Sequence, residues 1–386
     1  MTEAETRAAR WLQAWDAQGT HRTGTAGDAA GAEWLAAEAR ALGADVTVED
    51  FALDRLDPVE CFLEIGGEQV ERIGGVPVFD APATEPEGIA GRLGDDIAVA
   101  ELTPRAVYNG AFQRLRRAGG HADIHRALVV VCQGDAPGFG LINAEDFRAP
   151  YGAPAIHVPS EAREAVFAAL ERGAPARLVS YSRRTAARAA NVVATLPGRD
   201  SAKPPLVVMT PRSSWWQSTA ERGGGLVCWL ESLRALLAEP TLKSLARDAV
   251  FTANSGHELG HLGLDDFVAR RPGWDKPGGA TWLHYGANLG AFGSWLALVS
   301  NDEALRRVGL TALAGAGQPP DDIPWPASPP SGETRDIHKS GGRYLTLVGT
   351  NRLFHLPQDR WPDAVAVPAV ARTAAASAQI AHALSR

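Results

Sequence analysis

The chain has 386 residues, 45% of them hydrophobic and 22% charged, which is enough for one large domain or two linked ones with a sizeable core. Its formal net charge of −7 gives no electrostatic footprint for nucleic acid or for an anionic membrane surface, and no stretch reaches the ~20 apolar residues of a membrane span. Cys61, Cys132 and Cys228 are widely spaced and lack a C-x-x-C pair, so they are expected as buried free thiols. The opening Met1-Thr2-Glu3-Ala4-Glu5 has neither a basic segment nor an apolar run, and the expected location is the cytoplasm.

In chain order, Trp34, Leu35, Ala39 and Leu42 share a stripe with Gly43 just beyond, which predicts a helix over residues 29–42, followed by a strand from Asp45 to Phe51. From about Asp57 to Tyr181 the texture turns to short β-rich runs with many Gly and Pro, including Ala127–Cys132, and a helix over 160–172. This reads as a β-rich insertion covering 57–185, with 1–56 and 186–386 forming the main domain. His121 and His125 are four apart inside it, without an accompanying Glu, and are not expected as ligands. The run Pro205–Thr210 is a buried strand, and Gly223-Gly224-Gly225 opens a helix whose stripe is Leu226, Trp229, Leu230, Leu233 and Leu237. Strands and helices then alternate, as in an α/β sandwich, and the Pro-rich stretch 318–330 is expected as a surface loop.

The richest segment is Gly256-His257-Glu258-Leu259-Gly260-His261, which matches H-E-x-x-H. On a helix, His257 and His261 would share one face and could hold a metal, with Glu258 beside them to polarise a water. A second reading competes: Ala249–Ser255 is a buried strand entering a turn at Gly256, and Gly260 and Gly263 disfavour a long regular helix. That layout belongs to an open α/β sheet, whose sites lie at the carboxyl ends of the strands.

His21-Arg22-Thr23-Gly24-Thr25-Ala26-Gly27, with the helix and strand that follow, resembles the opening of the di-zinc exopeptidase family that includes bacterial leucyl aminopeptidase, glutamate carboxypeptidase, glutaminyl cyclase and transferrin receptor. Residues 191–198 resemble the strand re-entering that family's core, residues 354–359 its closing Tyr-His-Thr-Pro-x-Asp segment, and the insertion a protease-associated domain. The resemblance implies an α/β fold, a mixed and mostly parallel sheet sandwiched by helices, with a β-rich inserted domain. It implies metal chemistry with a divergent ligand set. Pro211 stands at the first ligand His, Ser213 at its supporting Asp, Ala220 at the bridging Asp and Gly290 at a further Asp, while Glu258 and His355 survive and His257 replaces the family's general base.

The expected site therefore has His257 and Glu258 as catalytic residues and His257, Glu258, His261 and His355 as ligands to one zinc or other divalent transition metal. Which of His257 and Glu258 is ligand and which is base stays open. Arg212, Glu221, Arg222 and His338 are expected on the substrate side, an Arg receiving a carboxylate. The expected function is metal-dependent cleavage of an amide bond in a small peptide or amino-acid derivative. The alternative is an inactive binding protein that keeps the exopeptidase fold without metal. No nucleic acid or membrane partner is expected, and a homo-oligomer is allowed.

Overall fold

The computed structural model describes residues 1–104, 112, 116–117, 124–321 and 329–386. His121 and residues 322–328 of the Pro-rich stretch lie outside them. Among the described residues the helices longer than a single turn are α1 Glu3–Asp16, α2 Ala26–Ala41, α3 Arg163–Glu171, α4 Gly224–Leu237, α5 Leu262–Ala269, α6 Glu303–Gly315, α7 Thr334–Ser340 and α8 Val367–Leu384. The strands are β1 Val46–Ile65, β2 Glu71–Gly74, β3 Val76–Pro77, β4 Ile89–Arg92, β5 Ile97–Leu102, β6 Ala127–Cys132, β7 Ala155–Val158, β8 Pro175–Leu196, β9 Leu206–Pro211, β10 Ala249–Asn254, β11 Thr281–Tyr285, β12 Leu296–Ser300 and β13 Arg343–Gly349.

The main sheet runs β12-β13-β11-β9-β10-β8-β1-β2, with β4 also paired to β8. Its centre, β13-β11-β9-β10, is parallel, and its flanks are antiparallel. Central strands such as β9 and β10 are apolar along their length because both faces are covered. Alternation assigns Val208, Phe251, Leu283 and Leu345 to the face packed by Trp11 and Trp15 of α1, Leu35 of α2, Trp229 of α4 and Ile380 of α8. Val207, Met209, Val250 and Trp282 face the other way, onto Leu264 and Phe267 of α5 and Ile337 of α7. The α/β architecture with helices on both faces is thus as the sequence implies.

A smaller sheet, β3-β7-β6-β5, has its own apolar clusters around Val129, Ile156 and Val166 and around Val130 and Ile142. It is joined to the main sheet by the ribbon of β1 and β8, which pair continuously from Val46↔Ala194 to Ile65↔Ala176 with one irregularity between Pro58 and Glu60. The boundaries expected near 57 and 185 fall inside this ribbon. Cys132 and Cys228 are buried free thiols, whereas Cys61 is only partly covered. No described helix is long and apolar enough to cross a membrane.

Candidate active site

The H-E-x-x-H run does not form a helix. Strand β10 ends at Asn254, Gly256 turns at φ 85°, a single 3₁₀ turn covers His257–Leu259, Gly260 sits at φ 80° and His261 at φ 65°, and α5 begins only at Leu262. Gly256 and Gly260 are needed there for more than φ: an added Cβ would come within 2.7 Å of Leu262 Cβ and 2.5 Å of the Glu145 carbonyl oxygen, respectively. The strand-and-glycine-turn reading holds, although the two imidazoles still lie 4.9 Å apart, centroid to centroid.

Glu258 is fully buried and points into the scaffold. Its Oε1 accepts the Thr23 N–H at 2.7 Å and the Thr23 hydroxyl at 2.6 Å, and its Oε2 accepts the Ser213 hydroxyl at 2.6 Å. The same Ser213 oxygen accepts from the Gly256 and His257 N–H groups, and Thr23 Oγ1 also accepts from Gly256. One carboxylate therefore ties together the loop before α2, the end of β9 and the turn after β10. Arg212 belongs to that scaffold as well. Its guanidinium is buried, pairs with Asp28 at 2.9 Å and donates to the carbonyls of Asp28 and Ala190, which removes it from the substrate side.

A second buried polar cluster lies at the carboxyl ends of the parallel strands. A π turn over Thr219–Gly223, braced by Asp359 accepting the N–H groups of Ala220 and Glu221, presents Glu221 and Arg222. Arg222 donates from Nε to the Ser213 carbonyl at 2.7 Å and pairs with Glu221 at 2.7 Å. It is Glu221, rather than the expected position 220, whose carboxylate faces His355, with Oε1 at 3.3 Å from Nε2. Burial would raise the Glu221 carboxyl, but the Arg222 charge and His355 outweigh it and hold it at about 2. The Leu141 carbonyl lies 2.7 Å from His355 Nδ1, so a segment from the smaller sheet's side fixes this ring.

His257 is the cluster member that solvent reaches, at 7% exposure; its Nδ1 stands 3.5 Å from Oε1 of the fully buried Glu333. Burial, with Arg222 and the other imidazoles, pushes His257 well below its usual value, so the ring is neutral. Burial pushes Glu333 up to about 7, against the opposing pull of His261, the Asn254 amide and Arg222. His284 holds Nδ1 against the hydroxyls of Thr334 and Thr346 at 2.6 and 2.7 Å, and burial lowers it to about 3. Glu221 Oε2, Arg222 Nη1 and His284 Nε2 are buried without a hydrogen-bond partner among the described residues, while Glu221 Oε1, Arg222 Nη2, His355 Nε2, His257 Nδ1 and Glu333 Oε1 have only their ion-pair contacts. A native interior rarely leaves polar atoms unpaired, so this cluster is the candidate site.

The expected one-metal set does not fit this arrangement. Glu258 is spent on Thr23 and Ser213, and the Arg222 guanidinium stands against Glu221. No group of three or more His, Cys, Asp or Glu among the described residues is placed to hold a metal ion. His338 lies apart, beside the Tyr344 hydroxyl at 3.2 Å, and is not part of the cluster. The sequence pointed to His338 rather than Glu333 for the substrate side; nothing local in Gly332-Glu333-Thr334 distinguishes a buried carboxylate from a helix-opening one.

No protein-family profile matches the chain, and no curated protein matches it in sequence. Among solved structures it is similar to BSAP, a zinc aminopeptidase from Bacillus subtilis, at 17% identity and a TM-score of 0.77, over 99% of this chain and 95% of that one. It is also similar to an aminopeptidase from Aneurinibacillus sp. strain AM-1 at 14% identity and a TM-score of 0.71, over 99% and 94%. Glutaminyl cyclase from Porphyromonas gingivalis is more distant, at 12% identity and a TM-score of 0.52, over 97% and 96%. The chain thus has the zinc-exopeptidase fold along its whole length.

Proposed function

We propose that the chain is a peptidase-type hydrolase that cleaves an amide bond in a small peptide or amino-acid derivative. The observation that carries this reading is the His257–Glu333 pair, with the Arg222 guanidinium and its unpartnered Nη1 in the same buried cluster at the carboxyl ends of the parallel strands. In the ionised state the Glu333 carboxylate, 3.5 Å away, favours the proton on His257 Nδ1 by its charge, leaving Nε2 as the base. His257 then takes a proton from water as the water oxygen bonds to the substrate carbonyl carbon. Arg222 stabilises the oxyanion, and the same proton passes to the leaving nitrogen as the C–N bond breaks. The reading takes residues 57–185 as an inserted unit of protease-associated type, whose Leu141 carbonyl holds His355.

A second reading, ligand binding without turnover, is favoured by one observation: Glu258, the residue retained from the family's catalytic run, is committed to the scaffold. A panel of aminoacyl amides and short peptides separates the two. Turnover by the wild type that drops at least about 100-fold in His257→Ala and Glu333→Gln supports hydrolysis. Calorimetric binding of a panel member with no turnover between pH 6 and 9 supports the second reading.

A further inference from the structure

We propose that Arg222 is a tethered cation that takes the electrostatic place of a metal in this crevice and keeps divalent metal away from the Glu221–His355 pair. Three observations carry it. Arg222 is 1% exposed and its guanidinium, always charged in a protein, lies 2.7 Å from a carboxylate that otherwise faces an imidazole nitrogen at 3.3 Å. The side chain is anchored from behind by the bond from Nε to the Ser213 carbonyl, and its backbone N–H is bonded to the Ser218 carbonyl. Arg222 Nη2 faces Glu221 Oε1, whereas Arg222 Nη1 and Glu221 Oε2 lack a hydrogen-bond partner among the described residues, which leaves one donor and one acceptor around a single neutralised centre.

The consequence is a preference in ligand chemistry. A divalent ion would meet a positive charge against the Glu221 carboxylate, whereas a carbonyl or carboxylate oxygen would find the unpartnered Nη1 of the guanidinium. Sequence conceals this, because Arg212 and Arg222 look alike in a motif scan and only one of them reaches the cluster.

The test is zinc binding by the full-length chain, measured by calorimetry and by elemental analysis after dialysis, for wild type, Arg222→Met and the double variant Arg222→Met/Glu221→Gln. Arg222→Met keeps the side-chain volume and removes the charge. The expected result is no stoichiometric zinc in the wild type, close to one zinc per chain in Arg222→Met at least 100-fold more tightly, and loss of that zinc in the double variant. One zinc per wild-type chain that is lost in Glu221→Gln overturns the proposal, as does a folded Arg222→Met with no gain. Should Arg222→Met fail to fold, Arg222→Gln, which can still donate to the Ser213 carbonyl, takes its place with the same expectations. Zinc content is read without turnover, so a failure of the hydrolase reading leaves this test intact.

Discussion

The Ser213 hydroxyl donates to Oε2 of Glu258 at 2.6 Å, across 45 residues of chain, and with Thr23 on the other oxygen it converts a motif carboxylate into a structural tie. Truncating Glu258 strands the Thr23 N–H and hydroxyl and the Ser213 hydroxyl in the interior. Glu258→Ala is therefore expected to cost about 3 kcal/mol or more, since bonds to a charged acceptor contribute about 1.5–3 kcal/mol each. Urea unfolding checks this; unchanged stability with lost turnover would assign Glu258 to the chemistry instead.

Arg212 is expected to behave as a core residue. Arg212→Ala leaves Asp28 buried without its partner, and breaking a buried pair costs about 3–5 kcal/mol. Ligand affinity per folded molecule should stay at the wild-type level; calorimetry on the soluble fraction is the check.

Acid should unfold the protein through its buried imidazoles. Burial lowers His21 to about 3, His157 to about 4 and His284 to about 3, and pushes His257 well below the ordinary value. Their folded values lie below the unfolded one of about 6.5, so below that pH the unfolded chain binds more protons and stability falls as pH drops from about 6.5 toward 4. His21→Phe keeps the stacking on Trp15, whose ring lies 3.5 Å away, and removes one such group. Its Tm should fall less steeply over that window than that of the wild type.

Glu333 acts with the opposite sign. Its folded value is raised to about 7, so the stability it contributes is present below about 4.5 and is lost as pH rises through 7. For turnover the ionised form is required, so kcat/KM should climb through pH 7, and Glu333→Gln should abolish that limb along with most of the rate. A rate profile that keeps the limb in Glu333→Gln would remove this carboxylate from the mechanism.

Close backbone approach fixes the start of α4. A Cβ on Gly224 would lie 1.8 Å from the Leu289 carbonyl oxygen, so Gly224→Ala must push the helix off the turn after β11. A loss of about 3 kcal/mol is expected, at the upper end of the ordinary range for overpacking, with a lowered urea midpoint as the readout.

Sequence by itself determined the α/β layering, the buried strands at β9 and β10, the helix opened by Gly224 and the glycine turn at 256, because hydrophobic period and backbone permissiveness are local properties. It also held the order of segments that resembles the exopeptidases. What it could not contain was the partner of each polar side chain. The spacing of His257 and His261 suggested a shared helical face, but φ values of 80° at Gly260 and 65° at His261 replace that helix with a turn. Glu258 was drawn away by Thr23, 235 residues distant, and Glu333 was brought to His257 from 76 residues further along the chain. Burial makes an unpaired charge costly, so each ionisable group takes the partner the packed sheet and loops bring within reach, and only the tertiary structure decides which partner that is.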